Sequence, residues 1–240
     1  MRGQLWVIDG ADGVGKATQV ELLVKRLNSS AALGGHKAHH ISFPHYQEKP
    51  WGVLIRQHLD GVFGPLEATG PYAASVLFAG DRGQHAQEMH KILESGDWII
   101  CDRYVSSNAA FQAAKIKNED EKQRYINWLF DTEFNLFGVP KPDGVVVLTL
   151  PVHISHKRTE SRREQAVLAG QDLSDKIGHQ DIYEQNKDYM SAAMQEYVKM
   201  AKQYSWHIVE CTDGDKELSR EEVSQKIWNI IDSQIKKRPR

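Results

Sequence analysis

The chain has few of the features that would place it in a membrane, in a secreted scaffold or on nucleic acid. It has only two cysteines, Cys101 and Cys211, too few for a disulfide framework in a chain of this length. Each ends an apolar run, where a small hydrophobe fits. A reduced pair is expected, with contact across neighbouring strands as the alternative. No apolar stretch approaches the ~20 residues needed to span a bilayer. The first strand begins almost at the first residue, so no signal peptide is expected and the cytoplasm is the default compartment. Charge of one sign is also missing: 30 Lys and Arg stand against 32 Asp and Glu, a net −2. No overall field draws such a chain to nucleic acid or membrane, and neither is expected as a partner. The 11 histidines are scattered without metal-ligand spacing, and His36, His39 and His40 read as surface or packing residues. No Ser/His/Asp arrangement and no internal repeat stands out.

With 240 residues, 40% hydrophobic and 26% charged, the chain suits a single domain with a full core, residues 1–235, followed by a basic disordered tail at 236–240. Strand and helix patterns alternate. Strands are expected at 4–9, 38–43, 98–101, 145–150 and 206–211, and helices at 16–33, 51–60, 72–94, 105–116, 120–135, 152–163, 181–204 and 219–235. Five short strands separated by helices predict an α/β fold: a five-stranded parallel sheet flanked by helices in three layers. Ligands of such sheets sit outside the carboxyl ends of the strands.

At the first of those ends the chain reads Gly10-Ala11-Asp12-Gly13-Val14-Gly15-Lys16, directly after Leu5-Trp6-Val7-Ile8. A buried strand followed by G-x-x-x-x-G-K opening a helix is a phosphate-binding loop. Glycine lets backbone N–H groups curl around an anion, Lys16 adds a point charge, and the helix N-terminus adds its dipole. The hydroxyl that follows the lysine in most such loops, and that ligates Mg²⁺, is absent. Ala17 stands there, and Thr18 comes one residue late. Metal must then be held by carboxylates, by the nucleotide and by water.

Other charged groups fall at strand ends and on helix faces. Asp102 follows the third strand, where a carboxylate accepts hydrogen bonds from metal-bound water, or else forms a local ion pair. Arg103 is placed to fork onto a phosphate. Phe78 and Arg82 are spaced i, i+4, so that both project from one helix face toward a flat base; the competing reading is a core ring and a solvated guanidinium. Arg158, Arg162 and Arg163 cluster at a helix end. Like charges so spaced repel unless an anion lies between them, which suits phosphoryl transfer; the competing reading is a solvated basic helix end. The polar stretch 164–180, with Gly170 and Gly178, suits a lid over the nucleotide, counted from about 158 to 180.

Taken together, GADGVGKAT (10–18), SFPHY (42–46), VLFAGDRGQH (76–85), DRYVSSNAAFQ (102–112), PKPD (140–143) and DIYEQ (181–185) resemble the thymidylate kinases, over nearly the whole chain and closest to the actinobacterial type. The resemblance implies an ATP-dependent nucleoside-monophosphate kinase that converts dTMP to dTDP, with Mg²⁺ as cofactor and a homodimeric assembly. It implies that the loop from Gly10 to Thr18 binds ATP, with Ala11, Gly13, Val14 and Gly15 supplying backbone and Lys16 gripping phosphate alongside Arg158, Arg162 and Arg163. It places Phe78 on thymine, with Arg82 and Asn108 at the base edge and Asn108 serving as both donor and acceptor. Arg103 holds the dTMP phosphate, and Phe43 and Tyr46 line that pocket. Ser107 and Gln112 support the base pocket, while Asp12 lies near the sugar and the acceptor phosphate. Asp181, Tyr183 and Glu184 border the acceptor site. Asp12, Asp102 and Glu184 are the metal candidates. Gly13 stands where some relatives carry a loop arginine, so the catalytic arginine is expected from the lid. Phe111 stands where many relatives have Tyr, and its ring suffices to exclude a ribose 2′-OH. A kinase for another pyrimidine monophosphate and a non-catalytic nucleotide-binding regulator remain alternatives.

Overall fold

The computed structural model describes residues 2–168, 181–214 and 216–237, apart from the side chains at 162, 166 and 167. Five parallel strands, β1 (Leu5–Gly10), β2 (Ala38–Ser42), β3 (Trp98–Asp102), β4 (Gly144–Thr149) and β5 (His207–Glu210), form one sheet in the order β2-β3-β1-β4-β5. A two-stranded antiparallel ribbon, β6 (Thr212–Asp213) with β7 (Lys216–Glu217), follows. The helices are α1 (Lys16–Ser29), α2 (Trp51–Leu59), α3 (Pro71–Glu94), α4 (Val105–Ala113), α5 (Glu119–Asp131), α6 (Val152–Leu168), α7 (Lys187–Gln203) and α8 (Arg220–Lys236).

Alternation along the buried strands splits the core in two. Leu5, Val7, Ile99, Cys101, Val145 and Val147 face one side and pack with residues of α2 to α5 and α7. Trp6, Ile8, Trp98, Ile100, Val146 and Leu148 face the other and pack with α1 and α8. Both faces of a parallel strand are covered, which is why these segments read as continuous apolar runs. The expected five-stranded α/β architecture is present.

Several local expectations are corrected. Cys101 and Cys211 cannot meet: β3 and β5 are separated by β1 and β4, and both thiols are free and buried. The helix expected from 181 starts at Lys187, where Asn186 caps it by accepting from the Tyr189 N–H at 2.9 Å. Residues 181–186 instead form a turn in which Asp181 Oδ1 accepts from the N–H groups of Tyr183 and Glu184, each at 2.8 Å. The helix expected over 120–135 changes pitch, because Thr132–Leu136 is π-helical. α1 stops at Ser29, short of residue 33, while α6 continues to Leu168 and α8 takes in Lys236 of the expected tail. Among the described residues, no helix is long and apolar enough to cross a membrane.

Candidate active site

A cavity of about 510 Å³ opens at the carboxyl ends of β1, β2 and β3, a volume suited to a small organic ligand. The phosphate loop forms one end. Gly13 and Gly15 there have φ of +81° and +98°, in the left-handed region that favours glycine. A Cβ on Gly13 would lie 2.3 Å from the Ser155 carbonyl oxygen of α6, so no side chain fits at this position. Lys16 starts α1 and folds back over the loop. Its Nζ donates to the Ala11 carbonyl at 2.8 Å and lies 3.7 Å from Asp12 Oδ1. Burial, with Arg103 adding repulsion, lowers its pKa. The first turn of α1 carries no acidic side chain, so its unpaired N–H groups keep their positive end for an anion. Asp12, Gly13, Gly15, Lys16, Ala17 and Thr18 line the cavity, whereas Ala11 and Val14 are buried in the core. Arg220, at the start of α8, also lines the cavity.

Arg103 sits in the cavity wall with φ of 64°, an unusual conformation for a long side chain and one that clusters at functional sites. Its N–H donates to the Ile8 carbonyl at 3.2 Å. Its guanidinium pairs with Asp12 and lies 5.7 Å from the centre of the Phe111 ring. Asp102, the next residue back, has a buried Oδ1 with no hydrogen-bond partner among the described residues. Among the described residues, the local ion pair weighed for Asp102 does not form; Arg103 pairs with Asp12 instead.

The far end of the cavity is built for a flat, polar-edged ligand. Phe78 lines it, as do Phe43 and Tyr46. Arg82 is only 2% exposed, which overturns the solvated reading. It is held by Glu133, with Nε donating to Oε2 at 2.7 Å and Nη2 to Oε1. Asn108 Nδ2 donates to Glu133 Oε1 at 3.0 Å and to the Ser75 carbonyl at 3.1 Å. Both amide hydrogens are therefore engaged, and its buried Oδ1 is left without a partner. Asn108 presents an acceptor to the cavity and not the donor-acceptor pair expected. Glu133 is a site residue that sequence periodicity misses. It lies on the π-helical turn, a local irregularity frequent at functional sites.

In the cavity wall, Tyr183 links three elements. Gln112 Nε2 donates to its hydroxyl at 2.8 Å, and His58 Nε2 lies 2.8 Å from the same oxygen. Burial, helped by the charge of Lys115, lowers the His58 pKa to about 4, so its ring is neutral. The Tyr183 and Phe111 rings stack at 5.9 Å. Ser107 lines the cavity, and its hydroxyl donates to Asp9 at 2.7 and 2.9 Å. The Asp9 carboxylate also accepts from Ser106, the Gly10 N–H and Tyr197, which fixes the end of β1 where the phosphate loop begins.

A cluster of acids closes the third side. Burial first, then repulsion from Glu184, pushes the Asp181 pKa up to about 7. Glu184 is also raised, by burial and by Asp12, although Arg163 Nη2 donates to its Oε2 at 2.5 Å. Arg163, Glu184 and Asp12 meet at a smaller cavity against α6. Arg158 does not join them, because Glu217 on β7 holds its guanidinium at 2.5 and 3.0 Å. The Arg162 side chain and residues 169–180 of the expected lid lie outside the described residues.

This arrangement has counterparts among known proteins. A thymidylate kinase of Mycobacterium tuberculosis is 32% identical over 161 residues, covering 67% of this chain and 72% of the relative. That of Afipia carboxidovorans is 27% identical over 236 residues, covering 98% and 91%. The solved structure of a Candida albicans thymidylate kinase, an enzyme of broad substrate specificity, is 26% identical with a TM-score of 0.67, over 97% of this chain and 92% of that one. The family model described as thymidylate kinase matches residues 8–227. From phosphate loop to last helix, then, the chain belongs to the thymidylate kinase family.

Proposed function

We propose that the protein transfers the γ-phosphoryl group of ATP to the 5′-phosphate of dTMP, giving dTDP and ADP. One observation carries the reading: a cationic glycine-bearing loop and a base-sized slot of Phe78, Arg82 and Asn108 open into the same cavity. The Asn108 Oδ1 acceptor and the Arg82 donor side match the N3–H and O4 of a pyrimidine. An oxygen of the acceptor phosphate attacks the γ-phosphorus in line, and the bond to the ADP oxygen breaks. That oxygen is already anionic, so no strong base is required, and the protein supplies position and charge. Lys16 grips the donor phosphates in place of the Ala11 carbonyl. Arg103 holds the acceptor phosphate. Arg163, turned toward Asp12 and Glu184, is the lid arginine best placed to meet developing charge, with Arg162 and Arg158 contributing on closure.

Mg²⁺ fits the residues present. The buried Oδ1 of Asp102, without a partner among the described residues, and the neighbouring carboxylates of Asp12 and Glu184 supply the oxygen donors that Mg²⁺ takes. Asp12, Asp102 and Glu184 would hold the ion, which neutralises phosphate charge when bound. The reading extends to one kinase domain over 1–235 with its lid at 158–180, a homodimer, a cytoplasmic setting, and the nucleotides ATP and dTMP as partners, with neither nucleic acid nor membrane.

A coupled ADP-release assay across dTMP, dUMP and the ribose analogue of dTMP tests this. Fastest turnover of dTMP is expected, with dUMP reduced by about 10–200-fold, the range one methyl in an apolar slot provides. Preference for dUMP supports the other-pyrimidine reading. Binding of both nucleotides with no ADP formed at millimolar Mg²⁺ refutes catalysis and leaves a regulator.

A further inference from the structure

The spacing of the histidines along the chain gives no sign of a metal site, yet folding gathers two of them with a carboxylate. His45 and Glu48 lie on the turn between β2 and α2, and His85 comes from α3. One ligand atom from each lies within 4.8 Å of the others, the only such group among the described residues. The two imidazole rings stack 4.0 Å apart at 28°. His85 Nε2 is 2.9 Å from Glu48 Oε2. Behind them is Asp81, one turn before His85 and 0% exposed. Its Oδ2 accepts from the His45 N–H at 3.1 Å. Its Oδ1 has no hydrogen-bond partner among the described residues and lies 3.6 Å from His45 Nδ1, itself buried and likewise without one there.

We propose that His45, Glu48 and His85 form a site for a divalent transition metal of the Zn²⁺ class, separate from the Mg²⁺ of the phosphate end. Imidazole nitrogens with one carboxylate suit Zn²⁺ and its neighbours, whereas Mg²⁺ takes oxygen donors. Three protein ligands leave a fourth position for water. Asp81 is the positioning residue. Its buried Oδ1 faces Nδ1 of His45 and selects the tautomer that leaves Nε2 for the metal, the carboxylate–histidine relation common at zinc centres. Two carboxylates, Glu48 and Asp81, lie against the two rings, and their negative charge favours a divalent ion. The site joins α3 to the turn that carries Phe43 and Tyr46, both in the wall of the large cavity. Occupancy therefore stiffens that wall.

The test uses the full chain stripped with chelator and kept in millimolar Mg²⁺, titrated with Co²⁺ and followed by its visible d–d bands, with Zn²⁺ as competitor. The wild type is expected to take up one equivalent with the strong bands of a four-coordinate ion, and Zn²⁺ is expected to displace it and raise the unfolding temperature. D81N should weaken binding about 10–100-fold, and H45A and H85Q should weaken it further and abolish the bands. H36A/H39A should bind as the wild type does. E48Q, at a half-exposed side chain, keeps the test open if H45A fails to fold; it should bind more weakly and shift the bands. A wild type that takes up no Co²⁺ at about 0.1 mM overturns the proposal, as do H85Q and E48Q variants that bind as it does.

Discussion

Replacing Asp181 by Asn tests the acid cluster through stability alone. The folded pKa of Asp181 is about 7 against an ordinary value of 3.8, a gap of roughly three units, or about 4 kcal/mol at ~1.36 kcal/mol per unit. The folded carboxyl keeps a proton that the unfolded chain has released between those two values. Stability is therefore full below the lower pKa and is lost as pH rises through the upper one. At pH 8, without nucleotide or metal, the whole amount is missing. The amide carries no charge to desolvate, yet its oxygen can still accept from the Tyr183 and Glu184 N–H groups at 2.8 Å. Asp181→Asn should thus raise the unfolding free energy by about 3–4 kcal/mol at pH 8, relief of Glu184 included, and by about 1 kcal/mol at pH 4.5. Urea unfolding at both pH values measures this. Equal effects at the two pH values, or destabilisation at pH 8, would refute the burial and repulsion assigned to Asp181.

Lys16→Ala should cut turnover by at least about 100-fold with dTMP affinity near normal, read by steady-state kinetics and calorimetry; unimpaired turnover would remove the loop from the mechanism. Glu133→Gln leaves the Arg82 charge buried without its counter-ion and should cost about 3 kcal/mol in denaturant unfolding, with a raised KM for dTMP and an unchanged KM for ATP. Gly13→Ala meets both a positive φ and the Ser155 carbonyl, and should lower stability by about 1–3 kcal/mol in thermal unfolding. Phe111 should preserve sugar selection, so comparable turnover of dTMP and its ribose analogue would dismiss steric exclusion by the ring.

The sheet was legible because its inner strands, such as Leu5–Ile8 and Val145–Leu148, are apolar on both faces, and because the loop after β1 has a spacing that few other structures need. Phe43, Tyr46, Phe78, Arg82, Arg103 and Asn108 were legible through resemblance and do line one cavity. What stayed hidden depends on backbone irregularity or on long-range contact. Glu133 turns inward only because the end of α5 widens to a π turn. Asp9 looks like any strand residue until Ser106, Ser107 and Tyr197 converge on it. The turn at 181–186 arises from the Asp181 side chain competing for backbone N–H groups, which helical periodicity does not register. Arg158 has the charge and spacing of its neighbours, but a partner on a ribbon 59 residues away holds it elsewhere.

The contact between Gly13 and α6 has an evolutionary meaning. In the proposed reaction, cationic help could ride on the loop or on the helix beyond β4, but this backbone leaves no room for a side chain at position 13. Where Ser155 fills the space above position 13, a lineage cannot acquire the loop arginine by a single codon change, since α6 would first have to retreat. A homologue with a bulky residue at that position should carry a displaced α6 and fewer arginines along it, which makes one glycine a marker for how a whole branch distributes its positive charge.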